Sequence, residues 1–254
     1  MVTGTRKRND VYVYGVTAFP FLPRTLGQGI GDPPADVFLS RYKQLGAVVS
    51  GMKSSEDLRG PALRKNLMAH ADVVNRVFQR GTILPVAFGY VCPLSWVRKQ
   101  LLMSSYDWLL DLLNELDGKV ELRLSARYRE EPLLKAVIKS EPWLARNDYR
   151  SYADKIQHGQ EVLEAIERRR DIGKKKLFGQ LGPLLHDFVV DKNTSAMSFG
   201  ASLLINRKDL AQLDHMLDEF ARDADELDFK CVGPLAPYSF VRDVVRISQE
   251  AAWA

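Results

Sequence analysis

Leu63–Val91, LRKNLMAHADVVNRVFQRGTILPVAFGYV, decides how the rest of the chain is read. Leu63, Leu67, Val74, Val77 and Phe78 recur near helical spacing with charge between them, which predicts an amphipathic helix. Pro61 suits its first turn, where no backbone N–H is needed. Gly81 follows the periodic run and is expected to cap the helix in the left-handed conformation. Thr82–Phe88 then reads as a short buried strand. Pro85 has no N–H to give a sheet ladder, so this strand must lie at an edge, end there, or bulge. The segment carries a packing pattern without a chemical one, and His70 within it reads as a packing or capping residue.

Working outward, residues 1–10 read as a mobile tail. Val11–Val16 reads as a strand, followed by a loop rich in proline and glycine from Pro20 to Pro34. Val37–Tyr42 and Leu45–Gly51 read as two strands with a turn near Lys43–Leu45, and Ser54–Gly60 as a polar connector. Beyond the opening stretch, Pro93 begins a helical run. A second helix, about Ser104 to Leu116, carries Trp108, Leu109, Leu112, Leu113 and Leu116 and stops at Gly118. Val120–Ala126 alternates cleanly as a strand. Pro132 begins a short helix. A long polar helix follows from about Tyr149 to Arg170, bends or breaks near Gly173 and continues to about Asp191. Ala196–Ile205 is a strand, Lys208–Ala224 a helix burying Leu210, Leu213, Leu217 and Phe220, and Phe229–Pro237 a last strand. Tyr238–Ala254 reads as a tail with a short helix.

Hairpins mixed with crossovers predict an α+β fold rather than a doubly wound parallel sheet. Two domains are expected, 1–125 and 126–254, with the boundary between Gly118 and Pro142 and a long helical segment in the second.

With 254 residues, 46% hydrophobic and 27% charged, the composition is that of an ordinary folded protein. A formal net charge of +4 permits an acidic partner or nucleic acid without demanding either. Two cysteines, Cys92 and Cys231, fit a reducing cytosol better than a disulfide scaffold. The basic start has no apolar core of signal-peptide length behind it, and no apolar run approaches the length of a membrane span.

No arrangement of residues points to catalysis, to a metal or to a cofactor. His70, His158, His186 and His215 are never three or four residues apart, so no helical metal pair exists. Neither cysteine has a CxxC partner. Gly27–Gly31, GQGIG, lacks dinucleotide and Walker spacing and leads into Asp32–Pro33–Pro34 rather than a helix whose amides could hold phosphate. Asp223, Asp225, Glu226 and Asp228 read as a solvated helix end.

The sharpest electrostatic feature is Arg168, Arg169, Arg170, Lys174, Lys175 and Lys176. They read as a solvated helix surface answering Glu161, Glu164 and Glu167, as a dock for an acidic partner, or as a nucleic-acid patch. No aromatic residues interleave the cluster to stack bases.

Several blocks in order resemble the gas vesicle GvpF/GvpL family. They are VYVYGV at Val11–Val16, GAVVSGM at Gly46–Met52, Ala69–His70, TILPVAFGYV at Thr82–Val91, GKVELRLSARY at Gly118–Tyr128 and GPLAPYSFV at Gly233–Val241. Together they span about residue 11 to residue 241. The departures are the loop Phe19–Pro34, Tyr90 and Cys92. The resemblance implies a two-domain α+β protein with a ferredoxin-like N-terminal domain. It also implies a minor structural or assembly protein of gas vesicles, cytoplasmic and without enzymatic activity or cofactor. Such a protein binds the small hydrophobic shell subunit and other vesicle proteins, and neither nucleic acid nor lipid membrane. The alternative is a nucleic-acid-binding module using Arg168–Lys176.

Overall fold

The computed structural model describes residues 10–18, 25–52, 58, 60–192 and 197–241. Most of the expected N-terminal tail, most of the connector before Gly60, and most of the expected tail Tyr238–Ala254 lie outside the described residues; of that last stretch Tyr238–Phe240 is a short helical turn. The described residues form an α+β fold with two separate sheets.

The chain divides into two compact units. One comprises the described residues of Met1–Glu121 and Pro234–Ala254, the other Leu122–Gly233. The sequence expectation has one crossing, near residue 125; the contacts have two, at 121/122 and at 233/234.

In the first unit, β1 (Asp10–Ala18) is buried from Val11 to Thr17. Burial on both faces is the mark of a central strand, and β1 is central. β2 (Thr25–Gln28), β3 (Asp36–Tyr42), β4 (Leu45–Gly51), β1 and β5 (Ile83–Pro85) follow in that order, and β6 (Val91–Pro93) also pairs with β1. The pairs of β1 with β4, β5 and β6 are antiparallel, as are β2 with β3 and β3 with β4. β3 and β4 form the expected hairpin, with Lys43 at φ 49° in its turn. β2 falls inside the stretch expected as loop, because its glycine and charged neighbours hide a strand of only four residues.

Pro85 does what a proline must in a sheet. β5 pairs with β1 alone and ends at Pro85, opposite Gly15. The chain then swings out through Val86–Tyr90 and rejoins β1 as β6, Val91 opposite Tyr12. Of the expected strand Thr82–Phe88 only Ile83–Pro85 is strand, and a second three-residue strand on the same partner follows at Val91–Pro93.

α1 (Leu63–Phe78) packs on this sheet through only part of the expected stripe, Val74, Val77 and Phe78. Leu63 and Leu67 are exposed, and the buried residues are Asn66, His70, Val73, Val74, Val77 and Phe78. Polar residues replace leucines on the inner face because they have partners there: the Asn66 Oδ1 accepts the Gly31 N–H at 3.0 Å, and His70 enters a tyrosine cluster. The expected left-handed cap at Gly81 is also corrected, since Gly81 has no positive φ. The last turn tightens instead, with the N–H groups of Arg80 and Gly81 both reaching the Val77 carbonyl at 2.9 and 3.2 Å. Two further helical segments follow: α2 (Leu94–Trp96), running into a wide turn at Val97–Met103, and α3 (Tyr106–Glu115). Leu109 and Leu113 of α3 and Leu116 just beyond it are buried, and Gly118, at φ 69°, ends the run as expected.

The second unit contains a sheet ordered β10 (Leu227–Leu235), β7 (Lys119–Tyr128), β9 (Ser198–Asn206), β8 (Leu185–Val190). Leu122, Leu124, Ala126 and Tyr128 bury one face of β7, as alternation requires. α4 (Glu130–Ser140), α5 (Tyr152–Leu181) and α6 (Leu210–Asp223) complete the unit, α5 packing on both other helices. Phe178 of α5 stacks on Phe188 of β8 with centroids 4.9 Å apart, and Phe220 of α6 meets Phe229 of β10 edge-on at 5.5 Å. Ser151 caps α5, its hydroxyl accepting the Asp154 N–H at 3.1 Å.

The long helix differs from expectation. It runs unbroken through Gly173 to Leu181, and Leu185–Val190 is a strand, not its continuation. Gly182 and Pro183 force the break, since proline cannot continue a helix built up to it. Among the described residues no helix is long and apolar enough to cross a membrane.

Candidate functional site

The densest polar arrangement in the first unit is buried. Tyr12 and Tyr14 of β1 stand side by side on one another's edges, centroids 4.9 Å apart. A bulge between Val13 and Gly15 shifts the register there, and both rings lie against His70 of α1. His70 closes the group. Its Nδ1 lies 2.9 Å from the Tyr12 hydroxyl and its Nε2 3.2 Å from that of Tyr238. Phe88 meets the imidazole edge-on at 5.8 Å, and Tyr14 stacks on it at 5.6 Å. Tyr12 also accepts the Gly89 N–H, while Tyr14 accepts the Ile30 N–H and bonds Ser50.

Burial decides the protonation of this cluster. It drives the His70 pKa down to about 4, so the ring is neutral at neutral pH. The same burial raises Tyr12, Tyr14 and Tyr238 above the ordinary tyrosine range. A neutral imidazole donates from one nitrogen and accepts at the other, so two tyrosine hydroxyls satisfy it fully. His70 is thus a packing residue, as expected, and it joins β1, α1 and the segment around Tyr238.

The other expected thiols and imidazoles are scattered. Cys92 is buried, and burial pushes its thiol up to about 12. Cys231 is half-buried and its thiol is pushed up to about 11 by the same cause. Thiols this far from the thiolate form are poor nucleophiles at neutral pH. His158 is buried on α5 with Glu161 at 3.6 Å and the Tyr149 ring at 5.5 Å. His186 bonds Asn206 at 3.1 Å, and His215 lies 3.6 Å from Glu219.

The basic segment lies on the second half of α5, where its members have unequal surroundings. Arg168 forks onto Glu141 at 3.0 and 3.2 Å. Arg169 gives two hydrogen bonds to the Glu226 carboxylate, 2.7 and 2.9 Å, where that carboxylate is 10% exposed. The Arg170 guanidinium lies over the Tyr128 ring, and Lys174 over Phe199 at 5.5 Å. Lys176 reaches Asp223 at 4.0 Å. Lys175 points to solvent. Glu226, read from sequence as part of a solvated acidic end, is instead an inner partner of the basic segment.

The sheets supply a different kind of surface. β5, ended by Pro85, and β10, the last strand, both lie at sheet edges. β10 carries Asp228, Lys230 and Pro234, the charges and proline that discourage edge pairing. β8 forms the opposite edge and exposes Phe188 and Val190. Sequence reasoning missed β8 by continuing the helix through it; Gly182–Pro183 and the β-branched pair Val189–Val190 are the signals that mark it.

The family model described as gas vesicle synthesis protein GvpL/GvpF matches residues 10–242. The chain belongs to the GvpL/GvpF family. Gas vesicle protein F of Streptomyces sp. (strain CB03234) is 30% identical over 241 residues, covering 91% of this chain and 99% of that protein. Two solved GvpF structures share the fold at 22% identity. That of Anabaena sp. PCC7120 superposes with a TM-score of 0.79 over 92% of this chain and 98% of its own, and that of Microcystis aeruginosa with 0.71 over 92% and 99%. The resemblance stated from the sequence blocks holds over nearly their whole span, and it makes the chain a gas vesicle protein.

Proposed function

We propose that this GvpL/GvpF chain is a minor structural or assembly factor of gas vesicles in the cytoplasm, not an enzyme. It binds the small hydrophobic shell subunit by accepting an extended segment at an open sheet edge, and meets other vesicle proteins without using nucleic acid or lipid. A shell built from small amphipathic subunits exposes apolar surface and strand edges before it closes, and such surfaces aggregate unless covered. Strand addition covers both at once: main-chain hydrogen bonds give affinity and alternate side chains give selectivity.

The outer edge of β8 carries this reading. The Asp191 N–H is given to the Gly200 carbonyl at 2.9 Å, toward β9. Alternation then turns the N–H groups of Phe188 and Val190 away from β9. That of Phe188 is taken by the Asp187 carboxylate at 2.7 Å, which leaves Val190 as the outward donor beside two exposed apolar side chains. Val190→Pro removes that donor without breaking the β8–β9 ladder. The expected result is about tenfold weaker capture of purified shell subunit, from losing a main-chain bond and closing the edge, with an unchanged circular dichroism spectrum. Capture at the wild-type level would end the β8 reading.

We further propose that the segment Arg168, Arg169, Arg170, Lys174, Lys175 and Lys176 docks an acidic vesicle partner through its solvent-facing member. Lys175→Glu tests this cleanly, because Arg169→Glu would leave Glu226 facing a like charge inside the unit. Recovery of vesicle proteins with Lys175→Glu should fall several-fold at low salt and match wild type at high salt. Equal recovery at both would leave the segment as a solvated helix surface.

A further inference from the structure

The inward stripe of α1 outruns its cover. At helical pitch Leu63 and Leu67 fall within the arc between Asn66 and Phe78, so they face the same side as the buried residues of the helix. Yet Leu63 is 43% exposed and Leu67 48%. Toward its N-terminal end the helix therefore presents an apolar face that the described residues leave half open. Tyr238 borders that face. Its hydroxyl lies 3.2 Å from His70 Nε2, one helical turn from Leu67, and Tyr238 is itself partly exposed.

We propose that residues 242–254 of the same chain dock on that face as an amphipathic helix. They start from the right place. Val241 is buried just beyond Tyr238, and Ser239 between them is held on Glu121. They also have the right pattern. In RDVVRISQEAAWA, Val244, Val245, Ile247, Ala251 and Ala252 share an arc of about 160° at helical pitch, interrupted by Ser248, and the charged residues lie outside it. An arc this wide suits a helix lying on a surface. A helix over 242–254 is about 20 Å long, against about 10 Å between Leu63 and His70 along α1, so it spans the open face.

Other stretches of the first unit fit the face less well. Residues 19–24 are apolar, but they are tied to the opposite end of α1 on both sides. The Thr17 hydroxyl gives to the Thr82 carbonyl at 2.7 Å, and Arg76 gives to the Gln28 carbonyl. Residues 53–57, KSSED, have no apolar side chain, and residues 1–9, MVTGTRKRN, have no apolar residue at helical spacing from another. Residues 242–254 combine an apolar side, sufficient length and an origin beside the patch. This inference stands apart from the β8 reading and fails or holds independently of it.

Hydrogen exchange of the full chain, read by mass spectrometry, should show the amides of 242–254 exchanging about tenfold or more slowly than an unstructured peptide of the same sequence. Leu67→Asp, at an exposed position, should remove most of that protection while the circular dichroism spectrum of the folded chain is kept. Ile247→Asp should do the same, and the two together should do no more than either alone, because both break one contact. Position is read by crosslinking. Leu67→Cys paired with Val244→Cys or with Ile247→Cys should close a disulfide within one molecule under mild oxidation. Met68→Cys, on the outer side of α1, should not, and each single variant controls for Cys92 and Cys231. Exchange of 242–254 at the unstructured rate, protection indifferent to Leu67→Asp, or no crosslink from Leu67→Cys to either position would each overturn the proposal. So would crosslinks only between molecules, which assign the face to a second copy, or protection that appears only with added shell subunit, which assigns it to that partner.

Discussion

Acidification from pH 6.5 toward pH 4 is expected to destabilise the first unit by about 3 kcal/mol through His70 alone. Unfolded, the imidazole takes a proton near its ordinary value of 6.5; folded, it does so only at about 4 because burial disfavours the charged ring. Between those values the unfolded chain binds more protons, so stability falls as pH falls through that window. Above pH 6.5 the contribution is constant, and below about pH 4 the loss is complete. His70→Phe removes the titration while keeping an aromatic ring among Tyr12, Tyr14, Phe88 and Tyr238. It should be less stable at pH 7.5, since two tyrosine hydroxyls lose a partner, yet lose less stability between pH 6.5 and 5. His70→Ala adds a cavity to those lost bonds and should cost roughly 3–5 kcal/mol at pH 7.5. Urea unfolding across this pH range decides the matter; parallel pH slopes for wild type and His70→Phe would refute the assignment.

Gly29→Ala should be nearly as damaging, for a steric reason. An added methyl would land on the Tyr14 hydroxyl and stand 2.8 Å from Val37 Cγ2. Tyr14 cannot yield without giving up Ser50 and the Ile30 N–H, both at 2.9 Å. Overpacking together with those losses is expected to cost about 2–4 kcal/mol and to lower the melting temperature by roughly 5–15 °C. Adding Tyr14→Phe removes the atom in the way, so the double variant should recover part of the loss relative to the two single changes taken together. Additive losses would place the damage elsewhere in the loop.

That glycine shows where the sequence could be read and where it could not. GQGIG reads as a loop without phosphate chemistry, and Gly27 and Gly31 do take positive φ, 81° and 113°. The reason for Gly29 is the hydroxyl of a residue fifteen positions away, which no local pattern encodes. The same limit governs α1. Its existence follows from periodicity, but its inner face is chosen by Asn66 and His70, whose partners Gly31, Tyr12 and Tyr238 are remote in sequence. β1, the β3–β4 hairpin, β7 and α6 were legible because alternation or helical spacing alone specifies them. β8 was not, because His186 and Asp187 interrupt the apolar residues of LHDFVV and the segment follows a helix without a long loop. The basic segment was visible as charge, but Glu141 and Glu226, twenty-seven and fifty-seven residues from their arginines, determine how much of that charge faces outward.

The return of the chain to its first unit has a consequence for synthesis. Ser239 gives its N–H and hydroxyl to the buried Glu121 carboxylate at 2.8 and 2.7 Å, and Tyr238 completes the bonding of His70. A ribosome emits Leu122–Gly233 in full before it emits either residue. The intervening unit is an insertion that can fold while its host still lacks a wall, with a buried carboxylate and an imidazole waiting for partners. The unit begun first is finished last, and until then the nascent chain displays an unfinished core to whatever binds apolar surface nearby.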